Sequence, residues 1–266
     1  MTTICICSQK GGVGKTTVAL NLSHSFARRE WNTLLADLDP QGSVAFSLAE
    51  KARQANGFAQ VSSGEANLQE VLLSTIVPKL KILTHGPEAA LAASNGRSRE
   101  ESLTKLLDQA DANAFDIVVL DCPSGFGAVT VAALGRADFV LAPQQAEPLA
   151  VRSVSRLMEA LKEVNERSGR GLSGAILITM LDTAQTDSMQ VTHELWNGLP
   201  PDLVLDSVVT RDQIFLEASA KGIPVAMLQN NPPAAAIVFD SIAAEIEARL
   251  GLSAKTNEQQ LQSFLA

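Results

Sequence analysis

Residues 9–17, Gln-Lys-Gly-Gly-Val-Gly-Lys-Thr-Thr, constrain this chain more than any other stretch. The segment follows a short β-prone run, Thr3–Ser8, and opens into Thr16–Arg29, where Val18, Leu22, Phe26 and Ala27 recur at near-helical spacing. A strand, a glycine-rich turn ending Gly14-Lys15-Thr16, and a helix, in that order, form a phosphate-cradling P-loop. The glycines let backbone N–H groups turn inward around phosphate oxygens, the lysine neutralises the outer phosphates, and the hydroxyl binds Mg²⁺. The helix N-terminus adds its partial positive charge at the same place. The first glycine usual in such loops is replaced by Gln9, and Lys10 stands directly before the pair Gly11-Gly12, so the loop is a variant with two lysines. A bland turn with surface lysines would not require strand, glycines, threonine pair and helix to agree.

The rest of the chain supplies the sheet that such a loop needs. Apolar strand-like runs at Thr33–Leu38, Lys81–Thr84, Phe115–Cys122, Asp138–Pro143, Ala175–Leu181 and Leu203–Thr210 alternate with helical patterns. The helical patterns are Ser43–Lys51, Val129–Arg136, Pro148–Arg167, Val191–Asn197 and Pro233–Leu250. Ile117, Val118, Val119 and Leu120 are continuously apolar, as expected of a parallel strand covered on both faces. The alternation predicts an α/β P-loop NTPase fold, with a mainly parallel twisted sheet and helices on both faces. No linker separates domains, so residues 1–266 read as one domain, with 252–266 a polar C-terminal tail or short extra helix; residues 52–100 are the least legible.

Two acidic sites end strands. Asp37-Leu-Asp39-Pro-Gln-Gly closes the second, and Asp121-Cys-Pro-Ser-Gly closes the buried one. Ligands of open α/β sheets bind at the carboxyl ends of strands, so both sites converge on the loop. An Asp there is a usual metal anchor, acting through a bound water, and a second carboxylate can orient an attacking water. Each Asp alone would serve equally well as a helix cap or turn residue; beside the loop, the functional reading is the favoured one.

Charge and cysteine usage narrow the class. The net charge of −8 gives no global attraction to nucleic acid, so any such binding needs a local basic patch. The three cysteines Cys5, Cys7 and Cys122 lie in apolar strand-like runs, which argues against a disulfide framework. No leader-like N-terminus and no apolar stretch of about 18 residues is present, and a reducing cytoplasm is the expected compartment. His193-Glu-Leu-Trp-Asn lacks the second histidine of a zinc helix.

Lys10-Gly-Gly-Val-Gly-Lys-Thr-Thr, Asp37-Leu-Asp-Pro-Gln-Gly and Ile117-Val-Val-Leu-Asp-Cys-Pro-Ser together resemble the ParA/Soj/MinD group of deviant Walker A ATPases. The likeness extends through Leu141–Ala150, Ile178–Asp182, Val208–Asp212 and Glu217–Val225, over roughly residues 2–250, and no helix-turn-helix precedes the loop, as in short Soj-like forms. The resemblance implies an ATPase with ATP and Mg²⁺ as ligands. It implies that Gly11, Gly12, Val13 and Gly14 wrap the phosphates, Lys15 binds the β/γ phosphates, Thr16 the Mg²⁺ and Thr17 the α-phosphate. Met180, Asp182, Thr210 and Arg211 would lie on the base side. Asp39 would position the attacking water, Asp37 would sit near the metal shell, and Asp121 would hold the metal through water. Lys10 would reach across an ATP-bound homodimer to the partner subunit's phosphates, as an arginine finger does in trans.

The same resemblance implies slow hydrolysis released by a ParB-like or cargo-adaptor protein. The expected outcome is partitioning of plasmid or chromosomal DNA, by nonspecific DNA binding that makes the ATP-bound form nucleoid-associated. Candidate DNA contacts are Arg211, then Arg152, Arg156, Arg167 and Arg170, whose alternative is a solvated helix face shared with Glu159, Glu163 and Glu166. The basic content is thin: Ala184 stands where such proteins commonly carry Arg, Asn231-Pro-Pro-Ala-Ala-Ala lacks another, and from residue 200 onward eight acidic residues face four basic ones. Placement of protein cargo, such as carboxysomes or chemoreceptor clusters, uses the same machinery and is the alternative. A MinD-like membrane-associated division-site regulator would need a basic amphipathic tail, and Thr256–Ala266 has neither Lys nor Arg. An iron–sulfur relative would need dimer-facing cysteines, whereas Cys5 and Cys7 share a strand face toward the core. Soj-like chains carry Pro-Pro where this one has Pro123-Ser124, a change expected to matter little.

Overall fold

A computed structural model of the chain describes residues 1–48, 50–87, 98–147, 150–169 and 172–253. The strands are, in chain order, β1 Thr2–Ile6, β2 Thr33–Asp37, β3 Leu73–Ser74, β4 Leu80–Leu83, β5 Ile117–Asp121, β6 Phe139–Gln145, β7 Ser173–Leu181 and β8 Val204–Thr210. They form one sheet in the order β3-β4-β2-β5-β1-β6-β7-β8. All pairings are parallel except that of the two-residue edge strand β3. The expected fold class is therefore the observed one.

Strand parity sorts the apolar run of β5 onto two faces, because successive side chains point to opposite sides. Ile117 and Val119 join Ile4, Ile6 and Leu35 beneath α1 (Lys15–Arg28) and α10 (Ala234–Leu250). Val118 and Leu120 join Cys5, Leu34 and Ala36 on the other face. That face is covered by α3 (Phe58–Ser63), α4 (Leu68–Val71), α5 (Arg99–Ala112), α6 (Ala128–Arg136), α7 (Ala150–Ser168) and α8 (Thr186–Gly198). The lower ends of α1 and α10 are joined by a buried carboxylate. Glu247 accepts from Trp31 Nε1 and Arg29 Nε, both at 2.8 Å, so this nearly inaccessible charge is paired rather than stranded.

Most element boundaries match the sequence reading to within two residues, the usual uncertainty of helix and strand ends. Several differences are larger. The helix expected over Ser43–Lys51 stops early: α2 is Ser43–Phe46, and a 3₁₀ turn occupies Glu50–Gln54. Ser47 Oγ bonds back to Ser43 O at 2.8 Å, a competition that weakens helices. The helix expected over Val191–Asn197 begins five residues earlier, at Thr186. Helix α5, which starts at the very end of the least legible stretch, and α9 (Ile214–Lys221) were not anticipated. The start expected at Pro148 and the tail beyond Ser253 lie outside the described residues. No helix among the described residues is long and apolar enough to cross a membrane.

Candidate nucleotide site

Sheet order decides what meets at the loop. β1 lies between β5 and β6, and β2 is the next strand beyond β5. Their register sets Ile6 opposite Asp121, and Asp121 opposite Asp37. The loop after β1 and the two acidic strand ends are therefore neighbours. Gly12 and Gly14 take left-handed φ values of 77° and 88°, which L side chains rarely adopt. That turn delivers Lys15 and Thr16 as the first residues of α1, with the helix N-terminus facing the loop.

Two hydrogen bonds tie this helix start to the end of β5. Thr16 Oγ1 donates to Asp121 Oδ2 at 2.7 Å, and Lys15 Nζ donates to Ser124 Oγ at 2.8 Å. Asp121 is fully enclosed, and its Oδ1 has no hydrogen-bond partner among the described residues. Burial pushes its carboxyl up to about 7, against the opposing pull of the Thr16 hydroxyl and the Lys15 ammonium. Asp37 is also enclosed; burial, and then the neighbouring Asp121, raises its carboxyl well above the usual range. Its two oxygens accept the backbone N–H groups of Asp39 and Val44, both at 3.0 Å, so Asp37 shapes the turn that carries the half-buried Asp39.

This donor set fits a hard divalent cation. It offers one hydroxyl and one buried carboxylate with an unengaged oxygen, and among the described residues no three His, Cys, Asp or Glu side chains are arranged to hold a metal ion by themselves. Mg²⁺ keeps several waters and is commonly held by one or two carboxylates together with substrate phosphates.

The raised Asp121 carboxyl has a stability consequence with a definite sign. Between its ordinary value of 3.8 and about 7, the folded protein holds a proton that the unfolded chain has released. Stability therefore falls as pH rises through that window, and the full penalty stands above it. Asp121→Asn should raise the melting temperature of the nucleotide-free protein at pH 8, by roughly 2–4 °C for each kcal/mol relieved, and change it little at pH 4. Thermal melts of both proteins across pH would check this; an equal difference at both ends would contradict it.

On the other side of the loop lies a cavity of about 340 Å³. Gly14, Thr17, Met180, Thr210 and Arg211 line it, together with Phe215 from the unanticipated helix α9. Phe215 is braced edge-on by Phe239, with ring centroids 6.2 Å apart. Thr179, which the sequence reading passed over, bonds through Oγ1 to Val13 O at 2.8 Å and pins the loop to β7. Asp182 is not brought into this cavity. Its carboxylate accepts Ala184 N at 3.0 Å and Gln185 Nε2 at 2.9 Å, closing the turn before α8.

Lys10 does not share the cradle of Lys15. Its Nζ lies 2.5 Å from Glu147 Oε2, just beyond the end of β6, and both side chains are about two-fifths exposed. Of the arginines considered for DNA, Arg211 lines the cavity, Arg156 is exposed, and Arg167 is paired with Glu163 at 2.6 Å. The side chain of Arg152 and the whole of Arg170 lie outside the described residues. Cys5, Cys7 and Cys122 are buried free thiols, with Cys5 Sγ 3.5 Å from Cys122 Sγ.

A family described as an AAA domain matches residues 1–173. A chromosome partitioning protein ParA of Myxococcus xanthus is 34% identical over 227 residues, covering 84% of this chain and 80% of its own. The chain belongs to the ParA/Soj/MinD family of P-loop ATPases. A chromosome-partitioning ATPase Soj of Treponema pallidum is 31% identical to this family member over 253 residues, 94% of this chain and 98% of the relative. Among solved structures, cobyrinic acid a,c-diamide synthase of Mycobacterium smegmatis with bound ADP and magnesium superposes with a TM-score of 0.76 at 26% identity. It covers 94% of this chain and 97% of that one.

Proposed function

We propose that this chain is a ParA-type ATPase that binds ATP with Mg²⁺, pairs with a second copy in that state, and hydrolyses the nucleotide slowly to drive partitioning of plasmid or chromosomal DNA. The observation that carries this reading is the position of Lys10: it stands outside its own cradle and about two-fifths exposed, while Lys15 is buried beside the loop. A lysine that its own site does not use is available to a facing subunit. Gly11 and Gly12, both exposed, leave room for two loops to approach.

In this mechanism Lys15 leaves Ser124 for the outer phosphates, and Thr17 reaches the α-phosphate. Thr16 and Asp121 would hold the magnesium, which when bound would neutralise phosphate charge. Asp39, carried on the turn that Asp37 shapes, orients the attacking water. The base occupies the cavity braced by Phe215. Release of product would answer to a ParB-like protein.

One observation favours a second reading, placement of a protein cargo. One of the proposed DNA arginines, Arg167, is already paired with Glu163, and the chain carries a net charge of −8. Retention on a DNA-coated surface separates the two. DNA partitioning predicts retention with ATP but not ADP, weakening steeply as salt rises through counterion release. Asp39→Ala, which keeps the cradle but loses the water-orienting carboxylate, should hydrolyse little, accumulate as a dimer and stay on the surface longer. No retention with ATP at low salt would move the assignment to a protein surface.

A further inference from the structure

Ser124 is the residue at which this chain departs from the Pro-Pro expected after Asp121, and the structure sets its hydroxyl against Lys15 of the glycine loop. Pro123 fixes the backbone before it, and Gly125 turns away with a φ of 83° while its N–H bonds Ser8 O at 2.9 Å. The resulting loop leans over the glycine turn. Ser124 Oγ accepts Lys15 Nζ at 2.8 Å and lies 3.4 Å from where a side chain on Gly11 would begin.

These contacts say at which end of the phosphate chain Ser124 stands. The apolar cavity for the base opens beside Gly14 and Thr17. A phosphate chain leaving that cavity runs along the loop toward Gly11, away from the base, and Ser124 borders the Gly11 end. The terminal phosphate therefore arrives next to the Ser124 hydroxyl, at the ammonium that this hydroxyl holds in the nucleotide-free protein.

We propose that Ser124 is a γ-phosphate contact that discriminates ATP from ADP. In the nucleotide-free protein its oxygen accepts from Lys15 and keeps that ammonium at the outer end of the cradle. When a triphosphate enters, Lys15 passes to phosphate oxygens, and the freed Ser124 O–H donates to a γ-phosphate oxygen. A diphosphate ends one group short and cannot take that bond. Proline at this position has no donor, so the contact belongs to this chain's own sequence and not to the loop motif.

The inference rests on the nucleotide reading of the site, and calorimetry with Mg²⁺ separates the two. ADP and a non-hydrolysable ATP analogue are titrated into wild type, Ser124→Ala and Ser124→Thr. Ser124→Ala should weaken the ATP analogue about 10-fold, the worth of a hydrogen bond to a charged group, with ADP affinity within about twofold of wild type. Ser124→Thr, which keeps the hydroxyl, should restore the ATP-to-ADP ratio. If Ser124→Ala tightens both nucleotides together, the hydroxyl is only a resting partner of Lys15 and the γ-phosphate contact is refuted. An unchanged ratio refutes it too. Wild type binding neither nucleotide would overturn the site reading itself.

Discussion

Lys15→Ala is expected to lose ATP binding by a factor of roughly 30 to several thousand, the cost of truncating one partner of a buried charge-paired hydrogen bond. Lys15 is only 7% exposed, and Asp37, Asp39 and Asp121 crowd the same corner. Without its ammonium, a triphosphate would meet carboxylates and the loop's backbone N–H groups, with no cation of the cradle to balance them. The fold should survive, because Lys15 Nζ bonds only a serine hydroxyl in the nucleotide-free protein, and the buried Asp121 carboxyl that loses the pull of the ammonium is already pushed by burial toward its neutral form. A melting temperature close to wild type together with lost binding in calorimetry is the expected pair of results. Wild-type affinity in a folded Lys15→Ala protein would mean that the nucleotide lies elsewhere.

The strands around that site were legible because their information is local. Parity and continuous apolarity identify β5 from Ile117–Asp121 alone, and the glycine turn announces itself by residue type and order. Residues 52–100 were opaque for a physical reason: they hold short elements, Phe58–Ser63, Leu68–Val71 and Leu73–Ser74, too brief to show a period. One signal there was readable and passed over. Ser98 and Glu101 form a reciprocal capping box, with bonds of 3.1 and 2.9 Å, and open α5.

The least legible part of the site is the set of contacts made across long stretches of chain. Thr179 reaching Val13, Ser124 reaching Lys15 and Glu147 reaching Lys10 each join residues more than 100 positions apart. Strand order brings these pairs together, and no spacing rule along the sequence encodes it. Asp182, put on the base side by resemblance alone, shows the same dependence on tertiary contacts: in the nucleotide-free protein it spends both oxygens on its own turn.

The last expectation concerns Lys10, which resemblance assigns to the facing subunit and which the structure finds held by Glu147. That ion pair is half-exposed, and pairs of this kind are worth about 0–1 kcal/mol, so Lys10 can leave it at little cost when a second subunit presents phosphates. Lys10→Ala and Asp39→Ala should each be nearly inactive alone. In a heterodimer of the two, the Lys10→Ala subunit keeps its own Asp39 and Lys15 and receives Lys10 from the other chain, so one site is complete. Its opposite site lacks both groups. Random pairing in a two-fold dimer makes about half the dimers mixed, each with one working site, so an equal mixture should recover about a quarter of wild-type turnover. A lysine acting within its own subunit gives the opposite result, because neither subunit of the mixed dimer then holds Lys10 and Asp39 together. Heterodimers shown to form by differently tagged chains, yet without recovered hydrolysis, would place the work of Lys10 inside its own subunit.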